Sequence, residues 1–140
     1  MAAGYATRLY PLTKDKPKPL LQVGGKPIVD HIIKKLEDIE EVDEIFIVTN
    51  SKFYGHFQKW AGEFKSSKKI KIVDDGTTSN EDRLGSLGDV DFVIEKEDIK
   101  ESIMIVAGDN LFEFSLKEFV ESHKKHNKSA VALYDVQDKE

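Results

Sequence analysis

The chain has 140 residues, 39% of them hydrophobic and 34% charged, with a formal net charge of -5 and no cysteine. That length fits one domain with a buried core, and the acidic balance argues against a nucleic-acid binder that works by bulk charge. The absence of cysteine excludes disulfides, iron–sulfur clusters and thiol catalysis, and no apolar run approaches the 18 or so residues of a membrane span. With no signal-peptide pattern after Met1-Ala2-Ala3, a cytoplasmic protein is the expectation.

The stretch up to about Gly25 reads as loop, with glycines and prolines among Arg8, Lys14, Lys16 and Lys18. Pro27 stands where a helix can begin, because a missing N–H costs nothing in the first turn. Ile28, Val29, Ile32, Ile33, Leu36 and Ile39 then form an amphipathic stripe. Glu44–Thr49 is a short β-rich run closed by Asn50 and Ser51. Lys52 to Lys65 carries Phe53, Phe57, Trp60, Ala61 and Phe64 at helical spacing, and Ile70–Val73 reads as the next strand. A polar loop, Asp74–Asn80, follows, then a helix with Leu84, Leu87, Val90 and Val93 as its stripe. Ile103–Ala107 is the clearest strand signal, with Gly108-Asp109-Asn110 at its C-terminal end. Ser115 and Glu118 form a capping box ahead of Leu116, Phe119, Val120 and His123, and Ala130–Tyr134 is the last expected strand.

Alternation of strand and helix implies an α/β fold: a mostly parallel sheet with helices on both faces. Ligands of such sheets sit outside the carboxyl ends of the strands, so the loops after strands are where chemistry belongs.

Gly4-Tyr5-Ala6-Thr7-Arg8 is a small-residue turn followed by a hydroxyl and a guanidinium. Such a turn lets backbone N–H groups approach phosphate oxygens, and arginine adds a forked charge, although short glycine turns near an arginine are also common without a ligand. Lys18 lies between Pro17 and Pro19, which hold it in an extended segment from which one point charge can be aimed at a phosphate. The plain alternative is a solvated basic loop. Asp109, at a strand end, suits a cation site or a simple turn whose carboxylate bonds local amides. Asn80 can read a base edge through its amide or cap the following helix. His123 and His126, three apart on one helix, lack a third ligand and read as a solvated face.

The run from Gly4 to Arg8, then Pro11 and Thr13, then Pro17-Lys18-Pro19-Leu20, then Val23-Gly24-Gly25-Lys26-Pro27 resembles the signature of the sugar-1-phosphate nucleotidyltransferases, the sugar-nucleotide pyrophosphorylases, including the glucose-1-phosphate thymidylyltransferase type. The resemblance continues through Asp75-Gly76-Thr77, Asn80, Arg83-Leu84-Gly85 and Gly108-Asp109-Asn110. It implies a Rossmann-like nucleotidyltransferase domain over residues 1–140, the N-terminal, nucleotide-binding part of a longer enzyme of EC 2.7.7 type. It implies attack of a sugar 1-phosphate oxygen on the α-phosphorus of a nucleoside triphosphate, giving a nucleotide sugar and pyrophosphate. Ala3, Gly4, Tyr5, Ala6 and Thr7 would cradle the triphosphate, Arg8 would hold the departing β,γ-phosphates and Lys18 would stabilise charge on the α-phosphate. Asn80 and Gly85 would face the base, and Asp109 would ligate Mg²⁺. Alternatives to the transferase are a non-catalytic nucleotide-binding or regulatory fragment, and a transferase for a non-sugar phosphate such as choline phosphate.

Three departures from that signature set further expectations. Ala6 replaces the usual second glycine, which costs roughly 1 kcal/mol if its φ is positive. Only Met1–Ala3 stand where family members carry a first, central strand, so the core is expected to open there. The chain stops at Glu140 without the acceptor half, and a sheet edge so exposed would favour homo-oligomers.

Overall fold

The computed structural model describes residues 1–133. A short 3-10 turn, Thr7–Leu9, and a second, Lys18–Leu20, precede a hairpin of β1 (Gln22–Val23) and β2 (Lys26–Pro27). Then follow α1 (Ile28–Glu37), β3 (Glu44–Thr49), α2 (Ser51–Glu63), β4 (Lys69–Asp74), α3 (Gly85–Lys96) and α4 (Leu116–His126). β1 and β2 pair antiparallel across Gly24 and Gly25, both at positive φ (61° and 83°). Two consecutive left-handed residues close a two-residue hairpin, and glycine takes that conformation without steric cost. Pro27 therefore ends a strand and caps α1, and the loop expected up to Gly25 contains a hairpin arm.

β3 and β4 run parallel in register from Glu44 opposite Lys69 to Thr49 opposite Asp74. The period of two along β3 divides the core. Ile45 and Ile47 join the larger cluster with α1 (Ile28, Val29, Ile32, Ile33, Leu36), α2 (Phe53, Phe57) and Leu116 of α4. Val48 and Phe46 pack on the other face with Val73, Val93 of α3, and Met1. Helices thus cover both faces of the parallel pair, as the alternation of elements predicts. Trp60 and Phe64 stack with ring centroids 5.0 Å apart against the larger cluster, and the Trp60 indole N–H donates to Asp30 at 2.8 Å.

Among the described residues Ile103–Ala107 forms no strand ladder, contrary to its apolar pattern. Its neighbour is the chain start: the Ala2 N–H donates to the Val48 carbonyl (2.9 Å), the Met1 amine to the Val106 carbonyl (3.0 Å), and the Gly108 N–H to the Met1 carbonyl (2.7 Å). Met1–Ala3 therefore lie between β3 and Val106–Gly108. A ladder needs residues opposite one another, and among the described residues none pairs with Ile103 or Ile105, which are 45% and 57% exposed. Ala130–Leu133 likewise carry no ladder, and Tyr134 lies outside the described residues. Gly108 is where the centre is tightest: a Cβ there would sit 2.6 Å from the Met1 carbonyl oxygen, so only glycine fits.

In α3 the expected stripe is displaced. Leu84 and Leu87 face solvent, whereas Asp89 and Val93, one turn apart, are buried. The buried face of this helix is the one that carries Asp89, Phe92 and Val93 towards β3, β4 and the chain start. Among the described residues, no helix is long and apolar enough to cross a membrane.

Candidate active site

A cleft of about 770 Å³ opens at the carboxyl ends of β3 and β4 and beside Met1–Ala3. All ten residues singled out by sequence line it: Ala3, Gly4, Tyr5, Ala6, Thr7, Arg8, Lys18, Asn80, Gly85 and Asp109.

The turn at Gly4–Thr7 is fixed from behind by buried polar groups. Asn50, fully buried, donates its side-chain amide to the Ala3 carbonyl at 2.8 Å, and its carbonyl oxygen accepts the Phe53 N–H at 3.0 Å. One side chain thus caps α2 and anchors the turn. Thr13, also fully buried, donates its hydroxyl to the Ala6 carbonyl at 2.8 Å. The Tyr5 ring is buried against Phe53, with its hydroxyl 3.5 Å from the Thr77 hydroxyl, so main chain is what Tyr5 can present to the cleft. Burial raises the Tyr5 phenol pKa and keeps it neutral. A Cβ on Gly4 would meet nothing within 4 Å, so the glycine serves open space in front of the turn and not the packing behind it.

Ala6 does take positive φ, 47° with ψ 39°. For alanine that conformation is unfavourable by roughly 1 kcal/mol. Ala6→Gly is therefore expected to stabilise the chain by about 1 kcal/mol and raise its melting temperature by a few degrees, measured by thermal denaturation.

Lys18 opens a 3-10 turn and is not extended: Pro17 before it is extended, and burial of Pro19 and Leu20 draws the next residues into the turn. The prolines nonetheless aim the lysine, whose Nζ donates to Oδ2 of Asp109 at 2.9 Å across 91 residues of sequence. Asp109 follows Gly108, whose N–H on the Met1 carbonyl fixes the main chain at that point. Arg8 is exposed, with no hydrogen bond among the described residues. The Asp82 carboxylate accepts the Thr78 and Ser79 N–H groups, which hold its pKa below the usual carboxylate range and fold the loop that presents Asn80. Asn80 is no helix cap. Its carbonyl oxygen accepts from Arg83 at 2.9 Å, and α3 begins after Leu84 without a side-chain cap. Gly85, at φ 78°, makes the bend into α3.

Residues that sequence reasoning left unassigned also belong here. Arg83, Ser86, Asp75 and Asp89 line the cleft, and Asn50 and Thr13 support it from beneath. Thr13 lay within the recognised run, whereas nothing in a single sequence marks Asn50 or Asp89 as buried.

Among the described residues no three carboxylates or imidazoles converge on one point. A divalent cation at Asp109 would accordingly draw most of its ligands from phosphate oxygens and water. That donor set fits Mg²⁺, which binds through one or two carboxylates plus substrate phosphates.

The family model for nucleotidyl transferases matches residues 1–140. The chain belongs to the nucleotidyl transferase family. It is 33% identical over 140 residues to the bifunctional protein GlmU of Methanocaldococcus jannaschii, covering all of this chain and 30% of that protein. It is 33% identical over 127 residues to a putative mannose-1-phosphate guanyltransferase of Sulfolobus acidocaldarius, covering 89% of this chain and 33% of the relative. The chain thus spans about a third of the length of these curated relatives. Its fold resembles that of an apo UDP-glucose pyrophosphorylase crystal structure, with a TM-score of 0.65 at 18% identity, over 90% of this chain and 53% of the other. That likeness places the parallel pair and its flanking helices in a nucleotidyltransferase fold.

Proposed function

We propose that this chain binds a nucleoside triphosphate for nucleotidyl transfer to a sugar 1-phosphate, yielding a nucleotide sugar and pyrophosphate. The observation that carries the reading is the meeting of Lys18 and Asp109, 2.9 Å apart in a cleft that the Gly4–Thr7 turn also lines. Family membership and the sugar 1-phosphate named for the Sulfolobus relative point the same way.

In the reaction an oxygen of the sugar 1-phosphate forms a bond to the α-phosphorus. The bond from that phosphorus to the bridging oxygen breaks, and pyrophosphate leaves with the electron pair. Positioning and charge neutralisation do the catalytic work in such transfers. The turn at Gly4–Thr7 supplies backbone N–H groups, and Arg8 grips the β,γ-phosphates with a guanidinium not engaged elsewhere among the described residues. Lys18 neutralises charge gathering on the α-phosphate. Asp109 would hold Mg²⁺, which supplies charge neutralisation across the phosphates. Asn80, its carbonyl oxygen taken by Arg83, keeps an amide N–H₂ for a base edge, and Gly85 lets the base approach the main chain. Soluble substrates of this class go with a cytoplasmic setting.

The test is pyrophosphate release with Mg²⁺, a panel of triphosphates and glucose 1-phosphate or mannose 1-phosphate. Release that requires both substrates supports transfer. Triphosphate binding without release on adding any sugar phosphate contradicts a transfer by this chain and leaves a nucleotide-binding module.

A further inference from the structure

Two carboxylate oxygens on the inner wall of the cleft have no hydrogen-bond partner although both residues are more than nine-tenths buried: Oδ2 of Asp75 and Oδ1 of Asp89. Asp75 follows β4 and is rigidly held. Its N–H donates to the Thr49 carbonyl at 2.9 Å, and its other oxygen accepts both the N–H and the hydroxyl of Thr77 at 2.7 Å each. Asp89 stands on the buried face of α3 and lines the same cleft, where its carboxylate and that of Asp75 raise the cost of each other's charge. Two ionised carboxylates cannot occupy that arrangement without repulsion, and a buried acceptor left unpaired is costly. A single proton between them satisfies both oxygens at once.

We propose that Asp89 is a positioning residue that shares one proton with Asp75, and that this proton clamps α3 to the end of β4 and so holds the triphosphate cleft in its binding geometry. The route from the clamp to the phosphate turn is short. Asp75 holds Thr77, and the Thr77 hydroxyl stands 3.5 Å from the hydroxyl of Tyr5 in the Gly4–Thr7 turn. On the other side, α3 carries Gly85 and Ser86 into the cleft four and three residues before Asp89. The coupling to the cleft rests on the triphosphate reading above; the shared proton does not.

The charged groups that face Asp89 are Asp75, from the end of β4, and the Met1 amine, from the chain start. Arg83 and the Lys18–Asp109 pair line the same cleft. Burial, and next Asp75, raise the Asp89 pKa from the ordinary 3.8 to about 6, with the Met1 amine opposing. The sign follows from the folded pKa exceeding the unfolded one. The stabilisation is fully present below the unfolded value and is lost as pH rises through about 6.

The experiment compares the melting temperature of the unmodified chain with Asp89→Asn and Asp75→Asn from pH 5 to pH 7.5, together with the dissociation constants of a triphosphate panel at pH 5.5 and 7.5. In either variant the new amide donates permanently to the remaining carboxylate, so both should melt at temperatures that change less with pH. Triphosphate affinity of the unmodified chain should fall between pH 5.5 and 7.5, relative to Asp89→Asn, by roughly fivefold or more. Melting profiles of both variants parallel to the unmodified chain would overturn the shared proton. Flattened profiles with an unchanged relative affinity would overturn its link to the cleft. Absence of triphosphate binding at every pH would overturn that link and the proposed function together, while the melting profiles still decide the proton.

Discussion

Lys18→Ala is expected to weaken triphosphate binding roughly 10- to 100-fold and to slow any nucleotidyl transfer by at least tenfold, with almost no change in melting temperature. A charge-assisted hydrogen bond to an ionised group contributes roughly 1.5–3 kcal/mol, which sets that range. The variant also leaves the Asp109 carboxylate without its 2.9 Å partner, so negative charge faces the incoming phosphates. The ion pair itself is 32% and 41% exposed at its two side chains, and pairs so hydrated add about 0–1 kcal/mol to stability. The split between binding and stability is the signature. A merely structural lysine would move both or neither. Lys18→Arg is not a safe substitute, because a planar fork on this proline-bounded turn replaces a compact point charge. Asp109→Asn should keep the fold and abolish most of the Mg²⁺ dependence of triphosphate binding, read by titration with and without the metal.

The second large effect is expected at Asn50. Asn50→Ala removes the α2 cap, a loss of about 0.5–2 kcal/mol, and strips the buried Ala3 carbonyl of its donor, a further 1–3 kcal/mol. Equilibrium unfolding in urea should therefore show a loss of roughly 3 kcal/mol. Because Ala3 begins the phosphate turn, triphosphate affinity should fall as well, which a simple cap substitution elsewhere would not produce. At Ser115, which caps α4 through the Glu118 N–H, alanine should cost only about 1 kcal/mol and leave the cleft untouched. Comparing the two caps isolates the part of Asn50 that serves the turn.

The helical stripes of α1, α2 and α4 and the apolar runs of β3 and β4 were legible because each element's own side chains set which of its faces is buried. Ile28, Ile32 and Leu36 on α1, or Ile45 and Ile47 on β3, need only their spacing to declare that face. Ile103–Ala107 has the same local pattern, yet a strand ladder is a property of two paired segments, and among the described residues this one is bonded only at its end, around Val106 and Gly108, to Met1. The Gly24-Gly25 hairpin was hidden for a different reason: its two-residue arms are too short to show any period. In α3 the apolar spacing of Leu84 and Leu87 pointed to the wrong face. Burial there falls on Asp89 and Val93, and a carboxylate at a buried position leaves no mark in the spacing of apolar residues.

The cleft itself was legible because most of its phosphate-facing residues are contiguous and small, from Ala3 to Arg8, and because Asp109 ends an apolar run. Its supports were not. Asn50 and Thr13 act through hydrogen bonds to carbonyls 47 and 7 residues away, and polar residues in loops carry no periodicity that marks them as buried. Loop polarity is usually a sign of exposure; here the two polar side chains are the best-buried parts of the site.

Titration of the unmodified chain with nucleoside triphosphates, with and without Mg²⁺ and beside Lys18→Ala and Asp109→Asn, is the most direct measurement. Saturable binding that strengthens with Mg²⁺, favours triphosphates over monophosphates and weakens in both variants is the predicted result. No binding by any triphosphate, or equal binding by the unmodified chain and both variants, would contradict the assignment of this cleft to nucleotidyl transfer.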